Sequence, residues 1–250
     1  MNALETIKNH RSIRKYKNTP ISNEVLDNIL EAASRTSTTG NMQVYSIIVT
    51  QDEARKSDLH KLHFGQGMVL EAPVLLTFNA DFNRFNKWCE QRKAKPGYDN
   101  FLSFFTASID ALLAAQNATI AAEAQGLGVC YLGTTTYQAG KLIDFFNLPK
   151  GVVPVTTLVI GYPDENPALV DRLPARGIVH YEEYQDYTNA DIDEVYAEKE
   201  ALEETKKLLE ENKLETLAQI FTQNRYPRQM NVDFSRIFLE IIEKQGFMNQ

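Results

Sequence analysis

The residues with the most evident chemistry lie near the N-terminus, where positions 10–16 read His-Arg-Ser-Ile-Arg-Lys-Tyr. Arg11, Arg14 and Lys15 are cations, His10 can become a fourth, and Ser12 adds a hydroxyl. Such a set suits a phosphate, because guanidinium groups grip its oxygens in pairs and a hydroxyl contributes a short further bond. On its own, a charge run of this kind is more often a basic turn facing water. Further segments bear on the choice. Positions 36–43, Thr-Ser-Thr-Thr-Gly-Asn-Met-Gln, offer hydroxyls, amides and pliable backbone around Thr38. Gln66 stands between Gly65 and Gly67. Positions 126–134 end in Tyr131, Leu132, Gly133 and Thr134 and offer backbone N–H groups at a strand end. Arg172 supplies a late cation in Arg172-Leu173-Pro174. This inventory suits a flat ligand with a phosphate at one end and an acceptor-rich ring edge at the other.

Other chemistries find little support. The four histidines, His10, His60, His63 and His180, make no metal pattern with thiols or carboxylates, although His60 and His63 could share a helical face. There is no GxSxG elbow, GxxxxGK[ST] loop or GxGxxG fingerprint. Gly126-Leu127-Gly128 lacks a third glycine and reads as a helix stop. Cys89 and Cys130 form no CxxC pair and read as structural thiols of a reducing cytoplasm. The chain shows no convincing nucleophile or base, and a cofactor can carry a redox step itself. The net charge of −7 is uneven: 181–216 hold thirteen Asp or Glu against four Lys, and the remainder is about +2. That acidity argues against nucleic acid, which needs a basic face. No apolar run approaches the roughly 20 residues that cross a bilayer. Glu5, Lys8 and His10 occupy the place of a secretory signal's apolar core.

The elements that must position these residues alternate between helix and strand. A short helix is expected over 3–8, leading into the basic cluster. Ser22 caps a stripe of Val25, Leu26, Ile29, Leu30 and Ala33. Strands are expected at 45–50, 72–78, 129–133 and 152–161, and helices at 52–62, 103–124 and 138–146. The helix at 103–124 is Ala-rich and apolar on most sides, which predicts a central position. The 250 residues allow one or two domains, and the mixture is α/β or α+β. A long, charged, helix-favouring stretch follows over 190–221, with Val195, Leu202, Leu209 and Leu217 as a narrow stripe. That stripe fits a second subunit or a solvated helix equally. Residues 234–247 form a last amphipathic helix.

Seven segments in order resemble the FMN-dependent nitroreductase superfamily, closest to its oxygen-insensitive NADPH nitroreductase and flavin reductase P branch. They are HRSIRKY at 10–16, TTGNMQ at 38–43, FGQGMV at 64–69, DFNR at 81–84, AQNATIAAEAQGLGVCYLG at 115–133, NP…RLP…VHYEEY at 166–184 and SRIFLEIIEKQGF at 235–247. Flavin mononucleotide meets both halves of the ligand description above. The resemblance implies an α+β fold with a mixed, mainly antiparallel sheet flanked by helices. It implies a homodimer in the cytoplasm, with a core over 1–185 and a helical extension over 186–250 that wraps the partner. It implies that His10, Arg11, Ser12 and Arg172 hold the phosphate. Arg14 then lies near the pyrimidine edge, where its charge favours the reduced, anionic ring. Thr38 and Gln66 bond the cofactor, and backbone groups of Tyr131, Leu132, Gly133 and Thr134 meet the ring. The implied activity is reduction of nitroaromatics, quinones or free flavins by NAD(P)H in ping-pong turnover. A specialised acceptor and a non-catalytic flavin carrier are the alternatives. Two departures stand out. Val170-Asp171 replaces a Lys-Pro pair before Arg172, removing a cation, and the 2′-phosphate arginines of NADPH have only Arg225 and Arg228 as candidates.

Overall fold

In the computed structural model, which describes residues 2–249, the strands expected near 72–78 and at 152–161 occupy the middle of the sheet. Strand β2 (Val74–Asp81) is buried at every position, and β4 (Val152–Gly161) at all but one. They pair with each other and with edge strands β1 (Tyr45–Thr50) and β3 (Gly128–Leu132) in the order β1-β2-β4-β3. All three pairings are antiparallel. Apolar stretches such as Val74–Leu76 and Leu158–Ile160 suit a sheet covered on both faces, and the polar Thr77, Asn79, Asp81, Thr156 and Thr157 are buried along with them.

Both faces are covered. The long helix α6 (Phe101–Ala124) lays Ala111, Ala114, Ala115, Ala118 and Ala122 against Val74, Leu76, Leu158 and Ile160, beside α2 (Asn23–Ser34). Small side chains let the helix sit close to the sheet. The other face carries Leu75, Cys130 and Val159, packed with Leu59 of α3 (Glu53–Leu62), Val69 of α4 (Met68–Glu71) and Leu142 of α8 (Ala139–Phe146). A third cluster joins Phe82 and Phe104 to Ile242 and Phe247 near the C-terminus.

The chain divides into two compact units: one runs to Leu169 and includes the stretch from Arg236, the other is Val170–Ser235. The helix at the N-terminus, α1 (Ala3–Lys8), carries a full capping box between Asn2 and Glu5. Within the second unit, Val195 packs so closely on Gly177 that a Cβ there would lie 2.8 Å from Val195 Cγ1. Lys199 pairs with Asp171 at 2.7 Å, and Arg176 with Glu194.

Several sequence expectations shift. The strand predicted at 72–78 starts after Pro73, whose missing N–H cannot join the ladder, and runs on to Asp81. Helix α5 (Asn83–Gln91) and the single turn α7 (Thr134–Tyr137) carry no clear signal; α7 is Thr-Thr-Thr-Tyr, a poor helix former. The stretch 190–221 is not one helix. It breaks into α9 (Asn189–Ala201) and α10 (Glu203–Asn212) at Leu202, which is extended, and breaks again at Lys213, which is left-handed at φ 54°. A turn α11 (Leu217–Gln219) then runs into π-helical Ile220–Arg225. The stripe from Val195 to Leu217 therefore lies on no single helical face. The last helix, α12 (Arg228–Lys244), starts six residues before the expected 234. Only one face of α6 is buried: Phe101, Leu102, Phe105, Ile109, Leu112 and Leu113 remain exposed.

Candidate functional site

The basic cluster is no free turn, because its backbone is fastened along the edge of the sheet. Ser12 makes a parallel bridge with Val129 of β3, and the Ile13 N–H donates to Val129 O at 2.9 Å. Further on, the Lys17 N–H donates to Tyr162 O at 2.9 Å and the Asp164 N–H to Lys15 O at 3.0 Å. Ile13 and Tyr16 are buried while Arg14 and Lys15 are exposed. Ile13 fits only because Gly128 lacks a side chain: a Cβ there would sit 2.6 Å from Ile13 Cγ1. The Tyr16 hydroxyl donates to Ile13 O at 2.5 Å.

Two of the candidate cations, His10 and Arg11, have distant side-chain partners, and Arg14 and Lys15 are held by their backbone. His10 Nδ1 lies 2.6 Å from Glu123 Oε1 on α6. Burial raises the Glu123 carboxyl pKa, against the hydrogen bond and charge of His10. Arg11 Nη1 donates to Asn166 Oδ1 and Pro167 O, both at 2.9 Å. Glu165 Oε1 accepts from the backbone N–H groups of Arg14 at 2.5 Å and Lys15 at 3.2 Å. The Arg14 guanidinium is left at the surface. Burial pushes the Cys130 thiol up, while Arg14 and a hydrogen bond from Ser12 pull it down, so both residues stand beside the middle of β3.

The other end of β3 holds Tyr131, Leu132, Gly133 and Thr134, with Gln66 beside Thr134. Tyr131 is half-buried; its hydroxyl accepts from Thr119 Oγ1 at 2.9 Å and donates to Gln116 Oε1 at 3.3 Å. Leu132 is buried. Gly133 is exposed, with no atom within 4 Å of where its Cβ would stand. Thr134 opens α7, and its Oγ1 lies 2.8 Å from His63 Nδ1 and 3.4 Å from Gln66 Nε2. Thr38 is half-buried in extended backbone, and its hydroxyl makes no capping bond. The loop after it turns through three left-handed residues, Gly40, Asn41 and Gln43. Fully buried Asp110 holds that loop: Oδ1 accepts from the Thr39 N–H at 3.0 Å and Oδ2 from the Val44 N–H at 3.2 Å. Arg84 donates to Gln43 O.

Asp110, Glu123, Glu165 and His63 are positioning residues that sequence reasoning missed. A signal existed for two of them. Asp110 and Glu123 are the only acids in α6, and a carboxylate in an otherwise apolar helix needs a buried partner. Glu165 and His63 gave no such sign.

Arg172, Arg225 and Arg228 belong to the second unit. Arg172 Nη1 donates to the carbonyls of Asp171 at 2.9 Å and Val170 at 3.3 Å. The Arg225 guanidinium lies 5.3 Å from the Phe221 ring centre, and Arg228 opens α12. All three side chains are exposed.

The residues of the first unit fit an FMN. Cations and a hydroxyl dock at the level of Val129, and an open glycine ends the strand at Gly133. At about 3.3 Å per residue the two are roughly 13 Å apart, the scale of a phosphate joined to a planar ring through a short sugar chain. Among the described residues, no group of three His, Cys, Asp or Glu could hold a metal ion, and no helix is long and apolar enough to cross a membrane.

Known proteins share this fold. Residues 7–162 match the nitroreductase family model. The chain is 38% identical over 183 residues to an FMN reductase [NAD(P)H] of Bacillus subtilis (strain 168), covering 72% of this chain and 74% of that one. It is 32% identical over 195 residues to the NADPH-flavin oxidoreductase of Vibrio harveyi, covering 76% and 78%. A solved structure from Bacteroides fragilis NCTC 9343 superposes with a TM-score of 0.96 at 51% identity, over 98% of this chain and 100% of the other. The NfrA1 nitroreductase from B. subtilis gives 0.88 at 27% identity, with both chains fully covered. The chain belongs to the nitroreductase family and is an oxidoreductase.

Proposed function

We propose that the chain binds FMN along β3 and uses it to move electrons from NAD(P)H to a nitroaromatic, a quinone or a free flavin in ping-pong turns. Bound FMN supplies the redox chemistry, accepting a hydride from the nicotinamide and passing the electron pair to the second substrate. The observation that carries this reading is the parallel bridge of Ser12 to Val129, which fastens the cationic segment to the strand that ends in open Gly133. Arg11 and Ser12, with His10 held by Glu123, bind the phosphate. Arg14 brings a positive charge to the ring, and Thr38, Gln66 and the backbone of 131–134 orient it. Arg172 adds to the phosphate side, and Arg225 and Arg228 take the 2′-phosphate of NADPH. The names of the B. subtilis and V. harveyi relatives support the cofactor and the nucleotide.

The active form is a homodimer. The exposed face of α6, from Leu102 at 71% exposure to Leu113, is an apolar patch that a second copy covers, and the extension over 186–250 packs on the core or on that copy. Two free, buried cysteines suit the reducing cytoplasm. The carrier alternative rests on the cation absent at Val170; the acid beside it, Asp171, is paired with Lys199 at 2.7 Å.

Purified protein tests the reading. It should be yellow, bleach under anaerobic NADPH, and recover colour on adding a quinone or a nitrofuran. A yellow protein that stays oxidised with NADPH and NADH would make it a carrier, and one that takes up no FMN would remove the reading.

A further inference from the structure

Thr134 behaves unlike the two threonines that follow it. Thr135 Oγ1 donates to Leu132 O at 2.9 Å and Thr136 Oγ1 to Gly133 O at 3.5 Å, each turning its hydroxyl back on the strand end. Thr134 Oγ1 is met from behind by His63 Nδ1 at 2.8 Å and Gln66 Nε2 at 3.4 Å. His63 is fully buried, and its Nε2 has no hydrogen-bond partner among the described residues. Burial lowers its pKa to about 4, so near neutral pH the ring carries a single proton. On Nε2 that proton would be a buried N–H with no acceptor, the costlier kind of orphan. On Nδ1 it is donated to Thr134, and only a lone pair goes unmatched. The Gln66 amide nitrogen is also a donor. Two donors fill the Thr134 oxygen and leave its own proton unspent, next to exposed Gly133.

We infer that Thr134 donates its hydroxyl proton to an acceptor on the flavin ring edge, and that His63 and Gln66 are positioning residues that turn it there. The inference rests on the proposal that FMN binds along β3. A side-chain donor then joins the backbone N–H groups of the strand end, aimed by a buried, uncharged ring.

Titration of the apoprotein with FMN, followed by flavin fluorescence and visible absorption, reads the effect without turnover. FMN uptake by the parent establishes the cofactor separately. Thr134→Val should then weaken FMN about tenfold, or ~1.4 kcal/mol, and shift the flavin's visible band, while Thr134→Ser restores both. His63→Leu should reproduce the valine variant, and His63→Asn, whose amide nitrogen can stand where Nδ1 stood, should recover the parent values. Nitrogen NMR of the parent should find the His63 proton on Nδ1. Unchanged affinity and spectrum in Thr134→Val, equal losses in the valine and serine variants, or a proton on Nε2 would each overturn the inference. Should His63→Leu fail to fold, the threonine pair and the NMR signal still decide. A parent that takes up no FMN would sink the functional proposal and this inference with it.

Discussion

The guanidinium of Arg11 reaches oxygens 155 and 156 residues away, at Asn166 and Pro167, whereas that of Arg172 bonds carbonyls one and two residues back. The same contrast separates the two units. In the first, His10 is tied to α6, Ile13 to β3 and the 39–44 loop to Asp110, each across a long stretch of chain. In the second, Arg172 and the capping boxes of Thr188 with Asp191 and Thr216 with Gln219 lean on neighbours, and the longer ties, Lys199 to Asp171 and Arg176 to Glu194, span 28 and 18 residues. A charge held by distant parts of the fold keeps one position, and the entropy of ordering it is met by folding rather than by ligand binding. A charge held by its neighbours keeps a wider range, which suits a nucleotide that enters and leaves.

The contrast should break first in stability. Phe247→Ala removes a side chain buried with Phe104 and Ile242 and should cost about 3–5 kcal/mol in denaturant unfolding. Tyr181→Ala, at a side chain 82% exposed in the second unit, should stay within about 0.5 kcal/mol. Comparable losses would erase the distinction between a packed unit and a lightly built one.

Acid should act through the first unit as well. His63 titrates near 6.5 when unfolded and at about 4 when buried. Between those values the unfolded chain binds the extra proton, so stability falls as pH falls from about 6.5 to 4, by about 3 kcal/mol in total. His63→Asn should flatten that part of the profile. An unchanged slope would mean that the ring is protonated in the fold.

The 38–43 loop comes next. Asp110→Ala leaves the N–H groups of Thr39 and Val44 without their acceptor and should cost about 1–3 kcal/mol, with weaker FMN binding alongside. Parent-like FMN affinity in a folded variant would detach the 38–43 loop from the site. The smallest effect belongs to the second unit. The Arg225→Ala, Arg228→Ala double variant should lower kcat/KM for NADPH about tenfold, ~1.4 kcal/mol, and leave NADH nearly untouched. Equal losses with both nucleotides would take these arginines out of the site.

Much of this was legible in sequence wherever a local rule carries the answer. Ser22 capping α2 and the apolar stretches that open β2 and close β4 follow from short-range chemistry. What escaped depends on groups brought together only by folding. The helical turn at Thr134 runs against the propensity of three threonines, and it forms where the Gly133 and Leu132 carbonyls accept hydroxyls of its own residues. The break at Leu202 follows from one extended residue in a stretch whose composition favours helix throughout. The basic segment at 10–16 was legible as chemistry but not as geometry, because the pairing of Ser12 with Val129 spans most of the first unit's sequence.

The most direct measurement compares FMN with riboflavin, which differ only by the phosphate. Apoprotein should bind FMN more tightly than riboflavin. Arg11→Ala should weaken FMN by about 1.5–3 kcal/mol, the scale of a charge-assisted hydrogen bond, while riboflavin affinity stays at the parent value. Equal losses for both flavins, or none for either, would contradict a phosphate clamp built on the edge of β3.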